Sequence, residues 1–148
     1  MALPISPTVP RLGPCPLHWS RPGGPLGHTL IPRVILAKCR RAVAGIVKHR
    51  ELLAPGIEVG DTVVIDSAER DPGTGQVIAC TLNGRDHLRI YHRMGNGRVV
   101  LRLAPHDREA QIAVRKADTL VIHGVVVGVV CGRTGTAFVL TSSEPLAC

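Results

Sequence analysis

Aromatic side chains are nearly absent: Trp19, Tyr91 and Phe138 are the three in 148 residues. The core must therefore be aliphatic, and a module that stacks nucleobases on rings is not expected. Acidic residues are missing from positions 1–50, which carry eight Lys or Arg. Long apolar runs are missing too. The longest, Gly124 to Gly132, falls well short of the roughly 18 residues of a spanning helix, so no membrane partner is expected. Prolines at 4, 7, 10, 14 and 16 interrupt the N-terminus. They break both the apolar stretch of a secretory signal and the amphipathic helix of a transit peptide. None of the five cysteines (15, 39, 80, 131 and 148) forms a Cys-x-x-Cys pair, and their number is odd. That predicts unpaired thiols in a reducing, cytoplasmic setting rather than a disulfide framework.

What is present suits one domain. A 45% hydrophobic fraction supports a packed core and argues against wholesale disorder. The net charge of +7 is unevenly spread: residues 51–148 hold ten basic and eleven acidic side chains. The basicity therefore belongs to the N-terminal third. Such an arm is usually a solvated tail, with weak contact to nucleic acid as its functional reading. Residues 1–32 contain eight of the twelve prolines and read as a poorly ordered Pro/Gly-rich arm. Residues 33–50 form a basic connecting segment. Apolar residues at 35, 39, 42, 43, 46 and 47 fit a helical face, while Val43, Ile46 and Val47 equally allow a strand.

From Gly56 onward the pattern is mostly β, giving a domain over 51–142 and a tail over 143–148. Strands are expected at 62–66, 76–82, 87–92, 98–103, 111–114, 120–131 and 137–141. Turn signals separate them at Asp71-Pro72-Gly73, Asn83-Gly84 and Gly95-Asn96-Gly97. Asn83-Gly84 favours a tight hairpin because both residues tolerate positive φ. Short strands joined by tight turns predict small antiparallel sheets.

Several segments carry a resemblance. Pro55-x-Ile57-x-x-Gly60-Asp61-Thr62-Val63-Val64-Ile65-Asp66 leads, followed by Gly75-Gln76-Val77-Ile78-Ala79 and His87-Leu88-Arg89-Ile90-Tyr91. Val99 to Asp107 and Ile122-His123-Gly124-Val125-Val126-Val127-Gly128-Val129-Val130 complete the series. In this order and spacing they resemble the C-terminal domain of the LexA, UmuD and phage-repressor family of self-cleaving serine peptidases. The resemblance implies a LexA-like β-clip fold and a domain that dimerises.

The family's chemistry rests on a Ser–Lys dyad, in which a neutral lysine takes the serine proton and the oxygen attacks a peptide carbonyl. By the resemblance, Leu52 falls on the nucleophile position and Arg89 on the base position. Leucine offers no nucleophile, and arginine stays protonated and cannot act as a base. No catalytic residue is therefore expected. A displaced site would draw on Ser67 or Thr62 with His49, His87 or His92. Ser67 sits at a strand end, where serine is a common turn residue, and His123 reads as structural or surface-exposed. The lysines, Lys38, Lys48 and Lys116, lie away from the strand that should carry the base. Left exposed on its strand, Arg89 would avoid the need for buried partners.

Three further patterns carry little. Cys15 and His18 have a ligand-like gap without a second pair, so no metal is expected. Ala44-Gly45 matches the family's scissile dipeptide but lies too near Leu52 to fold back into a cleft. Gly73-Thr74-Gly75 precedes a strand rather than a helix, so it is a turn and not a phosphate loop. No cofactor and no small-molecule ligand are expected. The first expectation is a catalytically inactive relative acting by homodimerisation, or by pairing with a related repressor, in SOS-type or prophage regulation. Its interface would use Leu120–Cys131 or Ala137–Leu140. The alternative is an active self-cleaving or trans-acting peptidase with a displaced site.

Overall fold

A computed structural model describes residues 2–4, 12–16, 28–47, 57–103 and 111–140. The elements are β1 (Ala2–Pro4), β2 (Leu12–Pro16), β3 (His28–Pro32), α1 (Arg33–Leu36), β4 (Ala42–Ile46), β5 (Thr62–Asp66) and β6 (Val77–Leu82). They continue with β7 (Arg85–Arg93), β8 (Val99–Arg102), β9 (Ile112–Ala113), β10 (Leu120–Val130) and β11 (Ala137–Leu140). Every strand pair is antiparallel. The mostly-β antiparallel class predicted from the sequence is what forms.

β10 organises the rest. Val125 lies opposite both Asp66 of β5 and Ile78 of β6, so these strands flank it on opposite edges. Gly128–Val130 likewise pair with both β5 and β11. One edge of β10 therefore carries β5, and the other carries β6 and then β11. This splits the assembly into two wings sharing one strand: β4-β5-β10-β11-β1, and β10-β6-β7-β8-β9. The register slips between Ile122 and Gly124 and again between Val126 and Gly128, and these bulges let one strand serve both wings. At the first bulge glycine is required by space. A Cβ on Gly124 would stand 2.3 Å from the Asp66 carbonyl oxygen and 2.6 Å from Ile65 Cγ2.

Alternation then sorts the aliphatic residues. Val63 and Ile65 of β5, Val77 and Ala79 of β6, Leu88 and Ile90 of β7, and Val126 and Val129 of β10 share the core between the wings. The opposite side of β6 sends Ile78, Cys80 and Leu82 to a second cluster with Tyr91, Leu101 and Val125. The opposite side of β5 sends Val64 to a third, with Ala44 and Ala137. Each fully buried Val, Leu or Ile among them contributes about 1.5–3 kcal/mol from apolar burial.

That third cluster changes the reading of the N-terminus. Within 1–32, assigned from sequence to a poorly ordered arm, β2 and β3 pair from Leu12↔Pro32 to Pro16↔His28. They bury Cys15 and Ile31 against Ala44 and Val64. Prolines at 14, 16 and 32 are compatible with an isolated two-stranded ribbon, whose outer positions need no ladder donor. The ambiguous segment 33–50 contains both candidates: a single turn of helix at 33–36, then β4.

The turns follow their chemistry. Asn83 and Gly84 take φ of 51° and 82°, the two positive values of a type I′ turn, and Leu82 pairs with Arg85 across it. Asn96 Oδ1 accepts the Arg98 N–H at 3.0 Å in the turn joining β7 to β8.

The segment Leu120–Cys131, expected to offer an interface, contains the shared central strand β10, and Ala137–Leu140 is paired to β10 and β1, so the edges of both are engaged within the chain. One expectation is corrected here. The thiols are not all unpaired: Cys131 is disulfide-bonded, whereas Cys15, Cys39 and Cys80 are free.

Candidate functional site

Leu52 and His49 lie outside the described residues, as does Lys48. Arg89 is well placed to be judged. It pairs with Ile78 across the β6–β7 ladder and is only 6% exposed. Strand alternation turns it to the face that carries Cys80 and Tyr91, away from Leu88 and Ile90. One terminal nitrogen, Nη1, donates to the Leu88 carbonyl at 2.9 Å. Burial pulls the guanidinium below its ordinary range, with the Cys80 thiol opposing. The simpler expectation, an arginine facing solvent, is therefore corrected. The long side chain covers part of the second cluster while its head takes a carbonyl.

Cys80 shares that environment. Burial pushes its thiol up to about 12; Arg89 works against the shift and Asp86 adds to it. Burial similarly lifts Cys15 to about 11 and Cys39 to about 12. All three stay protonated at neutral pH and so lack the thiolate of an activated nucleophile. Among the described residues, no three of His, Cys, Asp or Glu come together to hold a metal ion.

Among the described residues, the sequence candidates for a displaced site do not converge. Ser67 Oγ donates to the Arg41 carbonyl at 3.0 Å, joining the end of β5 to the start of β4. Thr62 stands at the opposite end of β5. His87 and His92 face opposite sides of β7 by alternation.

A different hydroxyl does meet a histidine and a carboxylate. Thr81 and Asp86 are cross-strand partners on β6 and β7, and Thr81 Oγ1 donates to Asp86 Oδ1 at 2.7 Å. His123 Nε2 lies 2.6 Å from the same Oγ1. The register slip between Ile122 and Gly124 sets this histidine beside Thr81. The hydroxyl has one proton, and the carboxylate takes it. The Nε2 contact is then satisfied by an N–H donated from His123 to Thr81. Burial lowers the His123 pKa below its ordinary value; Asp86 opposes this, and Arg70 reinforces it.

Thr81 and Asp86 were not singled out from sequence. Their five-residue separation across Asn83-Gly84 was a visible signal, because a two-residue hairpin places positions 81 and 86 opposite each other. The link to His123, 42 residues away, depends on the bulge in β10.

As chemistry, the cluster runs opposite to a nucleophilic triad. There the hydroxyl donates to imidazole, and the imidazole donates to carboxylate. Here imidazole donates to hydroxyl, and hydroxyl donates to carboxylate, so His123 in this arrangement is not a base for Thr81. The arrangement pins three strands together where the wings meet. No protein-family model matches the chain, and no curated protein matches it.

Proposed function

We propose that the chain is a catalytically inactive LexA- or phage-repressor-like domain that works by dimerisation or protein association in transcriptional regulation. The observation carrying this reading is Arg89. A buried, permanently cationic group occupies the position where the resemblance puts the proton-accepting lysine. The described lysines, Lys38 and Lys116, are exposed and lie off β7. The Ser67 hydroxyl is used by a carbonyl, and the three free thiols are held protonated.

Association by strand addition would use an edge other than those of β10, which are paired within the chain. Among the described residues β4 pairs only with β5. Its outer edge, ending at the half-exposed Ile46, is one place where a second strand can add.

Prolonged incubation at alkaline pH, followed by intact mass measurement, tests the chemistry. The full chain is expected to persist, and a discrete fragment overturns the reading. Light scattering after size exclusion tests association, and a monomer at high concentration removes it.

A second reading, a peptidase with a displaced site, is favoured by one observation: the contact of Thr81 with His123 and Asp86. It requires the Thr81 proton to move from Asp86 to His123. Cleavage by the wild type that disappears in Thr81→Ala would establish it.

A further inference from the structure

The same tripeptide stands at both ends of β7. Asn83-Gly84-Arg85 turns β6 into β7, and Asn96-Gly97-Arg98 turns β7 into β8. An Asn-Gly step is prone to deamidation, because glycine has no side chain to shield its amide nitrogen or to hold back the rotation that brings it to the asparagine Cγ. Both asparagines are exposed, and both glycines take a positive φ, 82° and 84°, with nothing within 4 Å of an added Cβ. By local sequence and exposure the two sites are equivalent, so any difference in their reactivity comes from the fold.

Asn83 is held at both ends of its carboxamide. Nδ2 donates to Asp118 Oδ1 at 3.0 Å, and Oδ1 accepts the Thr119 N–H at 2.9 Å. Its own backbone N–H bonds to the Thr119 carbonyl at 2.9 Å. Turning Cγ toward the Gly84 nitrogen breaks the first two bonds, one of them to a carboxylate. The Arg115 N–H and the Asn83 amide hold Asp118 below its ordinary range, so it is ionised at neutral pH. That negative charge also opposes loss of the Gly84 amide proton.

Asn96 is held less. Its Oδ1 accepts the Arg98 N–H at 3.0 Å, while among the described residues its Nδ2 has no hydrogen bond. Residues 87–103 contain four arginines and no carboxylate, so local charge favours loss of the Gly97 amide proton. One contact opposes attack: the Gly97 N–H donates to the Met94 carbonyl at 2.9 Å. It is a single neutral bond at an exposed hairpin tip, and such tips open locally at little cost.

We propose that Asn96 is a site of spontaneous deamidation in the folded chain, and that Asn83 is protected from it by Asp118 and Thr119. The Gly97 nitrogen, its proton lost to solvent base, bonds to Asn96 Cγ. The Cγ–Nδ2 bond breaks, and Nδ2 takes a proton and leaves as ammonia. Water then opens the cyclic imide at either carbonyl, giving aspartate or, with an extra methylene in the main chain, isoaspartate. Only water is consumed, and nothing is oxidised or reduced. The product sets a negative charge beside Arg98 in a turn that held none. This site does not depend on the regulatory reading above.

The test incubates the full chain at mildly alkaline pH and follows both tripeptides by peptide mapping that separates asparagine, aspartate and isoaspartate. A sample in denaturant gives the reference, where the two are expected to convert at similar rates. In the native chain Asn96 is expected to convert at least about tenfold faster than Asn83, because the bonds that hold the Asn83 carboxamide must break first. Asp118→Ala is expected to raise the Asn83 rate about fivefold or more and to leave Asn96 unchanged. Retained thermal melting shows that this variant folds, and the wild-type comparison stands without it. The proposal is overturned by equal native rates, by faster conversion at Asn83, by an Asn96 that persists natively while the denatured chain converts, or by a folded Asp118→Ala in which Asn83 reacts no faster.

Discussion

Asp61 Oδ1 accepts the backbone N–H of Gly132 at 2.8 Å, tying the start of β5 to the second residue after β10 across 71 positions. Its other oxygen, Oδ2, takes the Glu58 N–H at 2.9 Å. The carboxylate is 4% exposed, so both bonds form out of water. Asp61→Ala leaves two backbone donors without their acceptor and is expected to cost about 3 kcal/mol. Urea unfolding measures this, and a change below about 0.5 kcal/mol would show that water replaces the carboxylate.

Gly124 makes a second test of backbone geometry. Gly124→Ala drives a methyl group into the Asp66 carbonyl and should cost about 3 kcal/mol or more, or prevent folding. Gly95→Ala, where nothing lies within 4 Å of a new Cβ, should stay within about 0.5 kcal/mol. Equal melting temperatures for the two variants would contradict the bulge geometry.

His123 predicts a pH dependence. Its folded pKa lies below the unfolded value, so the unfolded chain binds the proton first as the solution is acidified. Stability from this group is complete above the ordinary histidine value of about 6.5 and declines as pH falls from there toward the lower folded value. Denaturant midpoints measured between about pH 5 and 8 should rise with pH, and His123→Gln should flatten the rise. A slope unchanged by the substitution would assign it to another group.

The free thiols give a fourth test. With Cys80 and Cys39 raised to about 12 and Cys15 to about 11, alkylation of all three at neutral pH should be negligible in the folded protein and rapid in denaturant. Peptide mapping after mild alkylation reads each site separately. Fast labelling of Cys80 in the native state would contradict its burial among Ile78, Tyr91 and Leu101.

Much of the β architecture was legible because its signals are local. Thr62–Asp66 is a strand as read, and Asn83-Gly84 makes the hairpin that its two left-handed residues favour. The N-terminal ribbon was hidden by its own prolines, because composition reports average flexibility and misses that Cys15 and Ile31 meet a partner sheet. Arg89 was read as exposed because charge outweighs position in a sequence, while alternation along β7 decides where it points. The Thr81–His123 contact needed the bulge, and a one-residue slip has no dependable mark in the letters.

The shared strand also sets an order on assembly. β10 borders both wings, yet it is made after β4 through β9 have left the ribosome. A nascent chain ending before Leu120 can zip its local hairpin from β6 to β7, but it lacks the seam that closes either wing. Completion then demands contacts between distant stretches, a topology associated with slow folding. Until that late arrival, the inner edges of β5 and β6 stand open to other chains, a hazard that the finished molecule no longer displays.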